Sequence, residues 1–184
     1  DASYKTDLWL VPAEHTDRGQ SLVRLTNDDR VKSAPAWSPD GRFIAFLTAE
    51  DGVYGSPQLA VMPAAGGEPR ILTAGLDRWI NSFKYSQDGE WLNFLFENDG
   101  GTHLARVRPS DGRLERLLEG ELHVSALDVA PSGVVAARIE NANDAPELYV
   151  LGKPRPRRIT DVNDAYLRSV VLGDKRRVEF RSPD

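Results

Sequence analysis

A hairpin that occurs three times constrains the fold of this chain more than any other feature. Its first copy spans Ser33–Leu47, where Pro39 and Gly41 favour a type I turn between two apolar strands. The second copy spans Phe83–Leu95 and the third spans Leu127–Ala137. Recurrence at roughly 40 to 50 residues, with several strands in each period, is typical of a β-propeller blade. The sequence therefore predicts an all-β fold built from blades.

The strands predicted around these hairpins form one half blade, three blades of four strands and a tail. The half blade covers 7–28, and the blades cover 31–73, 79–118 and 123–161. A short helix or turn is expected within 161–173, and a last strand at Arg177–Phe180. The expected fold is an incomplete β-propeller of about three and a half four-stranded antiparallel blades over 1–161, followed by a junction segment over 162–184.

Three and a half blades do not close a ring. Propellers usually close with four to eight blades, and closure protects their sheet edges and apolar faces. The chain is therefore expected to be a piece of a longer protein or to pair with a second copy through its open edges. The polar opening Asp1–Thr6 lies in the middle of a repeat, so we expect that the original N-terminus has been removed.

The composition excludes several classes of function. The net charge of −5 argues against a nucleic-acid partner. With no cysteine, the chain has neither disulfides nor thiolate chemistry, and this leaves the compartment open between cytoplasm and periplasm. No apolar run approaches the ~20 residues of a membrane helix, so no membrane partner is expected.

Two segments resemble a known family. The blade motif Trp37–Phe46, together with the blade ending Arg70–Thr73, resembles the WD40-like repeats of TolB and of prolyl-oligopeptidase-type peptidases. The tail segments Arg158–Asp164 and Arg177–Asp184 resemble the junction of acylaminoacyl-peptidase-type members, where a strand leads into an α/β-hydrolase domain. The resemblance covers nearly the whole chain. It implies the propeller part of a serine peptidase, which admits and orients short peptides and has its own hydrolase domain as partner.

The catalytic motif of that family does not occur in this chain. No Gly-x-Ser-x-Gly nucleophile elbow is present, so no catalytic residue is assigned and the chain by itself is expected to be inactive, with the parent protein a serine peptidase. No cofactor, metal-binding or substrate-binding residue is assigned either. Glu97, Arg106 and Glu140 are candidates for facing the central channel, and none is preferred. The alternative is a TolB-like interaction propeller without enzymatic activity.

Other candidate site residues have simpler structural interpretations. His15, His103 and His123 lack the spacing of metal ligands and are interpreted as strand-end or surface histidines. A further group of aromatic residues is interpreted as core between blades rather than as a ligand platform. These are Trp37, Trp79, Trp91 and Phe94.

Three polar patterns complete the candidates. Asp161, Asn163 and Asp164 lack the rest of a calcium loop and are interpreted as Asx-type turn capping. The basic run of Lys153, Arg155, Arg157 and Arg158 is interpreted as a solvated loop, with a docking contact to the hydrolase domain as the alternative. The Asp-Gly pairs at 40–41, 51–52, 88–89 and 111–112 are interpreted as turn residues rather than a carboxylate dyad.

Overall fold

The computed structural model describes residues 4–14, 18–50, 54–152, 155–173 and 178–181. This part of the chain holds fourteen strands, a short 3-10 helix over Ala74–Leu76 and a single turn of α-helix, α1, over Asp164–Leu167. The strands are β1 Trp9–Leu10, β2 Val23–Arg24, β3 Val31–Trp37, β4 Phe43–Ala49, β5 Gln58–Pro63, β6 Arg70–Ile71, β7 Ile80–Tyr85, β8 Leu92–Asn98, β9 Gly101–Val107, β10 Leu114–Leu118, β11 His123–Val129, β12 Val135–Glu140, β13 Glu147–Val150 and β14 Arg157–Arg158.

Consecutive strands pair antiparallel within each blade. β1 pairs with β2, β3 to β6 form one four-stranded sheet, and β7 to β10 and β11 to β14 form two more. A single parallel pair, His123 opposite Thr102, joins these last two blades. The predicted all-β fold is confirmed, and a short helix lies in the tail as expected. The division of the chain at the stated residues into domains stays a prediction.

One predicted strand is wrong over the residues that can be described. Arg177 lies outside the described residues, and Val178 to Phe180 are not in a strand. The side chains of Val178 and Phe180 are 73% and 87% exposed, so these residues lie against no sheet in the described part of the chain. A pattern of alternating apolar residues needs such a surface before it becomes a strand.

The repeated hairpin is closed by side-chain bonds within its turn. Ser38 Oγ donates to Asp40 Oδ1 at 2.6 Å and accepts from the amide of Phe43 at 2.9 Å, while Gly41 has a φ of +70°. The second copy repeats this arrangement, with Ser86 Oγ donating to Asp88 Oδ1 at 2.5 Å and accepting from the amide of Trp91 at 2.9 Å. A serine two residues before an aspartate therefore fixes both turns.

The core lies between successive blades. The second strands β4 and β8 are buried on both faces, where alternate residues point to opposite sides of the sheet, whereas β12 of the last blade has one face partly exposed. We call the half blade of β1 and β2 the first blade and number the others after it. Phe46 contacts the first blade, whereas Leu47 packs toward the third blade, β7 to β10. Phe94 belongs to the same core cluster as Leu47, and Leu95 packs against the blade of β11 to β14.

Three blades end in a threonine that bonds in the same way. The hydroxyl of each threonine accepts a hydrogen bond from a leucine amide of the third strand at 2.9 Å and donates to the polar side chain just before that leucine. The threonines are Thr26, Thr73 and Thr160, and their polar partners are Asp7, Gln58 and Glu147. This pair of bonds explains the Leu-Thr or Ile-Thr ending of these blades, because it ties the short fourth strand to the third.

None of the helices in the described residues has the length and apolar character needed to cross a bilayer.

Candidate functional site

The first strands of the three full blades form an exposed wall, as expected of strands around a central channel. Most side chains of β3, β7 and β11 are at least partly exposed, and β7 contacts β11 directly. Lys84 Nζ on β7 and Asp128 Oδ1 on β11 form an ion pair at 2.7 Å across the two blades. We call β3, β7 and β11 the channel wall.

None of the three residues that were candidates for facing the central channel lies on this wall. Glu97 lies on β8, Arg106 on β9 and Glu140 on β12. The guanidinium of Arg106 bonds Glu115 Oε2 at 2.6 and 2.8 Å and lies 4.0 Å from the ring centroid of Trp91. Arg106 therefore stabilises the blade of β7 to β10 rather than facing a ligand in the channel.

A groove of about 740 Å³ opens at one end of the blades, beside the two Ser-x-Asp-Gly turns. The turns touch, since a Cβ at Gly89 would lie 3.5 Å from Pro39 Cδ. We call this the turn groove, and it is lined by Ser38, Asp40, Arg42, Phe43, Val61, Arg70, Tyr85, Asp88, Gly89, Glu90, Arg108, Pro109 and Ser110. Two hairpins far apart in sequence thus form one concave surface.

Two groups of the turn groove have strongly shifted pKa values. The hydrogen bond from Ser38, followed by those from the amide and side chain of Arg42, lowers the pKa of Asp40 to about 2. Burial, with a smaller effect from the nearby Asp40 carboxylate, raises the pKa of Tyr85 to about 12. At neutral pH the groove therefore contains a carboxylate at Asp40 and a neutral phenol at Tyr85.

The sequence interpretation did not single out Tyr85 or Arg70. Tyr85 occupies the place before the turn where the other two hairpins have Trp37 and Val129. A hydroxyl at a position that is apolar elsewhere in the repeat is the signal that could have identified it. Arg70 carries no such signal, because exposed arginines are common at strand ends.

The interpretation of the histidines is confirmed for one residue and wrong for another. His123 begins β11, as expected of a strand-end histidine. His103 lies within β9 and is only 4% exposed, with its ring edge-on to Phe96 and its Nε2 2.9 Å from the carbonyl oxygen of Gly120. It is buried because its cross-strand partner, Phe96, belongs to the core between blades. His15 lies outside the described residues.

No cluster of three or more His, Asp or Glu side chains in the described residues has the arrangement of a metal site.

The interpretation of the four aromatic residues holds for two of them. Trp91 and Phe94 are buried in the core, at 8% and 0% exposure. Trp37 and Trp79 are 53% and 39% exposed, so their assignment to the core between blades is wrong. Trp37 is the last residue of β3 and Trp79 precedes β7, so both lie at ends of the channel wall rather than within a buried strand.

The segment after the last blade is held by a buried carboxylate rather than by Asx capping. Glu147 is 3% exposed and accepts hydrogen bonds from the hydroxyl of Thr160 and, at 3.0 Å, from the amide of Asn163. The side-chain amide of Asn163 also bonds Glu147 Oε1, at 3.3 Å, and makes no capping bond at the start of α1. The capping interpretation is therefore wrong for Asn163, which anchors the tail to β13.

The basic run divides into two parts. Arg155 is exposed in the loop, as interpreted, whereas Lys153 lies outside the described residues. Arg157 and Arg158 form β14, and the guanidinium of Arg158 contacts Asp164 and lies 3.0 Å from Glu147 Oε1. The solvated-loop interpretation is wrong for Arg158, because the two carboxylates hold its side chain against the last blade.

The Asp-Gly pairs are turn residues, as interpreted, wherever they can be described. Asp40 and Asp88 bond within their own turns, and Asp111 Oδ1 accepts a hydrogen bond from the amide of Arg113 at 3.0 Å. The pair at 51–52 lies outside the described residues.

The arrangement of the blades has counterparts among solved structures. The acylaminoacyl peptidase of Pyrococcus horikoshii superposes on all of this chain with a TM-score of 0.78 and 17% identity, and the match covers 27% of that protein. The β-propeller domain of the Trilobed protease from Pyrococcus furiosus matches 86% of this chain, with a TM-score of 0.66, 21% identity and 44% of that chain covered. The fold is that of a β-propeller, the fold that these parts of the two proteins share.

The structure of a TolB protein also matches this chain. TolB from Acinetobacter baumannii matches 79% of this chain and 36% of its own length, with a TM-score of 0.56 and 18% identity. The predicted resemblance to acylaminoacyl-peptidase-like propellers with TolB-like blades is therefore confirmed at the level of fold, and so is the incomplete propeller.

Two curated relatives are similar in sequence over about half of the chain. The uncharacterized peptidase YuxL of Bacillus subtilis is 35% identical over 88 residues, which are 48% of this chain and 12% of that protein. The uncharacterized protein YidR of Escherichia coli is 32% identical over 106 residues, 56% of this chain and 24% of that protein. The matched part of the chain thus spans a quarter or less of the length of either relative. No protein-family model matches the chain.

Proposed function

We propose that this chain is the non-catalytic propeller part of a serine peptidase of the prolyl oligopeptidase family, of the acylaminoacyl- or dipeptidyl-peptidase type. The observation that carries the proposal is the superposition of the whole chain on part of an acylaminoacyl peptidase. The 35% identity to the peptidase YuxL supports it from the sequence side. In this proposal the hydrolase domain of the longer protein supplies the nucleophile, and the propeller admits and orients short peptides.

The channel wall supports the gating part of the proposal. Apart from Trp37 at the end of β3, its exposed side chains are small or polar, and the pair of Lys84 and Asp128 bridges two neighbouring blades. A channel bordered by such a wall passes an extended short peptide and excludes a folded protein by size. The hydrolase domain would then act only on what the channel admits.

The first experiment extends the reading frame beyond Asp184 and assays the longer protein with chromogenic aminoacyl and acyl-aminoacyl substrates. Hydrolysis that a serine-directed phosphonate abolishes is the expected result. A longer protein without a hydrolase domain, or with one that cleaves none of these substrates, would overturn the proposal in favour of the TolB-like interaction propeller, the second candidate. The match to TolB is the observation that favours this candidate.

Gating is tested separately in the same longer protein. Ser82 is exposed on the channel wall, so Ser82→Trp is expected to lower kcat/KM for pentapeptides more than for dipeptides. Ser132→Trp, in the exposed hairpin turn of the last blade, is the matched control and is expected to leave that ratio unchanged. Equal ratios for both variants would exclude size selection by the channel.

The exposed face of the first blade supports a proposal about partners. Trp9 and Val23 are 52% and 54% exposed on β1 and β2, opposite the face that packs on the second blade. We propose that further blades of the longer chain cover this face, with a second copy as the alternative occupant. Analytical ultracentrifugation of the 184-residue chain distinguishes these two occupants, because formation of a dimer would support a second copy as the occupant.

A further inference from the structure

The turn groove contains polar groups that the fold leaves without partners. Most of its charged side chains are used within the blades. Asp40 and Asp88 accept the hydrogen bonds of their own turns, and Arg42 Nε bonds Asp40 Oδ2 at 2.6 Å. Arg108 bonds Asp111 at 3.2 Å and lies 4.7 Å from the ring centroid of Trp91. These groups shape the groove, and each already has a partner within the blades.

Three other polar groups in the groove are free to bind. The side chains of Arg70 and Glu90 are exposed and make no ion pair or hydrogen bond with any described residue. The hydroxyl of Tyr85 is buried and likewise has no hydrogen-bond partner among the described residues. Buried polar atoms in native proteins nearly always have a partner in the protein, in ordered water or in a ligand, so this hydroxyl at the groove is available to one of the latter two.

The free groups have opposite charges and lie on neighbouring blades. Arg70 begins β6 of the second blade, whereas Tyr85 and Glu90 flank the first turn of the third blade. A guanidinium and a phenol hydroxyl both donate to a carboxylate, and a carboxylate such as that of Glu90 pairs with an ammonium group. The groove is also lined by the apolar residues Phe43, Val61 and Pro109.

We propose that the turn groove binds a zwitterionic dipeptide or tripeptide with apolar side chains. Arg70 and the hydroxyl of Tyr85 bind the terminal carboxylate, Glu90 binds the terminal ammonium group, and the apolar side chains contact Phe43 and Val61. The cavity volume of about 740 Å³ lies within the 300–1,000 Å³ of ordinary ligand sites. This site is distinct from the channel wall, and the proposal does not depend on the proposed peptidase activity.

The protonation state of Tyr85 agrees with this role. Because burial raises the pKa of Tyr85 to about 12, its hydroxyl keeps its proton at neutral pH and is a hydrogen-bond donor. A phenolate would repel the carboxylate of a peptide. The same burial removes competing bulk water from the bond.

The test is a titration of the isotope-labelled 184-residue chain, followed by NMR, with Leu-Leu and three related peptides. Leu-Leu-Leu probes length, N-acetyl-Leu-Leu lacks the ammonium group, and Leu-Leu-amide lacks the carboxylate. Saturable binding of Leu-Leu or Leu-Leu-Leu, with shifts confined to the turn groove, is the expected result. Each blocked peptide is expected to bind about tenfold or more weakly, the loss of one charge-assisted contact.

Variants assign each end of the peptide to its residue. Arg70→Met is expected to weaken Leu-Leu about tenfold and to remove its advantage over Leu-Leu-amide, because the carboxylate has then lost its partner. Glu90→Gln is expected to remove the advantage over N-acetyl-Leu-Leu instead. Tyr85→Phe weakens Leu-Leu without loss of folding, since the hydroxyl has no partner in the described residues.

The matched controls are exposed residues outside the groove: Arg168→Met, Glu121→Gln and Tyr54→Phe. They are expected to bind Leu-Leu as the wild type does. Absence of saturable binding of both unblocked peptides up to about 10 mM, far weaker than a typical specific site, overturns the proposal. So does binding that Arg70→Met, Glu90→Gln and Tyr85→Phe leave unchanged.

Discussion

The ammonium group of Lys32 forms an ion pair with the carboxylate of Asp28, and the side chain of Lys32 is 1% exposed. Its Nζ also donates to the carbonyl oxygen of Arg30 at 3.0 Å and lies 3.9 Å from Asp7 Oδ1. The equivalent strand positions of the next two blades are the fully buried Ile80 and Val124. The contact between the first two blades thus contains a charged group where later contacts are apolar.

Asp28→Asn is expected to destabilise the chain by about 1–2 kcal/mol, because it leaves a buried ammonium group with fewer partners. The carboxylate of Asp28 is 43% exposed and Asp7 stays in place, so the loss is smaller than for a fully buried pair. In a Lys32→Met background the same change is expected to cost under about 0.5 kcal/mol. Urea denaturation of the four proteins measures both values.

Asp29→Asn is the control for this cycle, since the side chain of Asp29 is 92% exposed. It is expected to have little effect in either background. Equal losses from Asp28→Asn with and without Lys32 would show that the ion pair does not stabilise the contact between the blades.

Thr73→Val is expected to destabilise the chain by about 1–3 kcal/mol, because the buried amide of Leu59 loses its acceptor. Valine has nearly the same shape as threonine, so packing is conserved and the loss reports the hydrogen bonds. Thr102→Val is the control, because the hydroxyl of Thr102 makes no side-chain hydrogen bond with the described residues. Equal denaturation midpoints for the two variants would contradict this role of the blade-ending threonines.

Glu147 is expected to make stability depend on pH in the acid range. The hydrogen bond from Thr160, then those from the Asn163 amide and Arg158, lower the pKa of Glu147 from 4.5 to about 2. A carboxylate with a lowered pKa stabilises the folded state above its unfolded pKa. This contribution is therefore present above pH 4.5 and disappears as the pH falls toward 2.

Thermal unfolding between pH 5 and 2 tests this expectation with Glu147→Gln, which should have a flatter stability profile than the wild type. Glu121→Gln is the control, since Glu121 is exposed and its side chain contacts no described residue through a hydrogen bond or ion pair. Parallel profiles for the wild type and Glu147→Gln would show that another group governs the acid transition.

Gly101→Ala is expected to destabilise the contact between the last two blades by about 1–3 kcal/mol. A Cβ at residue 101 would lie 2.6 Å from the carbonyl oxygen of Leu122, which accepts a hydrogen bond from the amide of Thr102. Gly152→Ala is the control, because a Cβ there has no atom of the described residues within 4 Å. Calorimetry should show a lower Tm for Gly101→Ala alone.

The hairpins and the strand order could be predicted because their causes are local. Ser38, Asp40 and Gly41 satisfy one another within a few residues, so their spacing alone identifies the turn. The environment of single residues was less predictable. Trp37 and Trp91 lie in similar apolar patterns, yet Trp37 ends the exposed strand β3 and is 53% exposed, whereas Trp91 directly precedes the buried strand β8 and is 8% exposed.

The turns, the alternation of apolar residues and hence the all-β fold of repeated blades follow from the amino-acid sequence alone, since each depends on neighbours in the chain. The tertiary structure decided what successive blades bring together. It buried Lys32 and His103, tied Asn163 to Glu147, and placed Arg70 beside Tyr85 and Glu90 in one groove. These contacts join residues on different blades or residues far apart in the sequence, so they depend on how strands and sheets pack rather than on any local pattern.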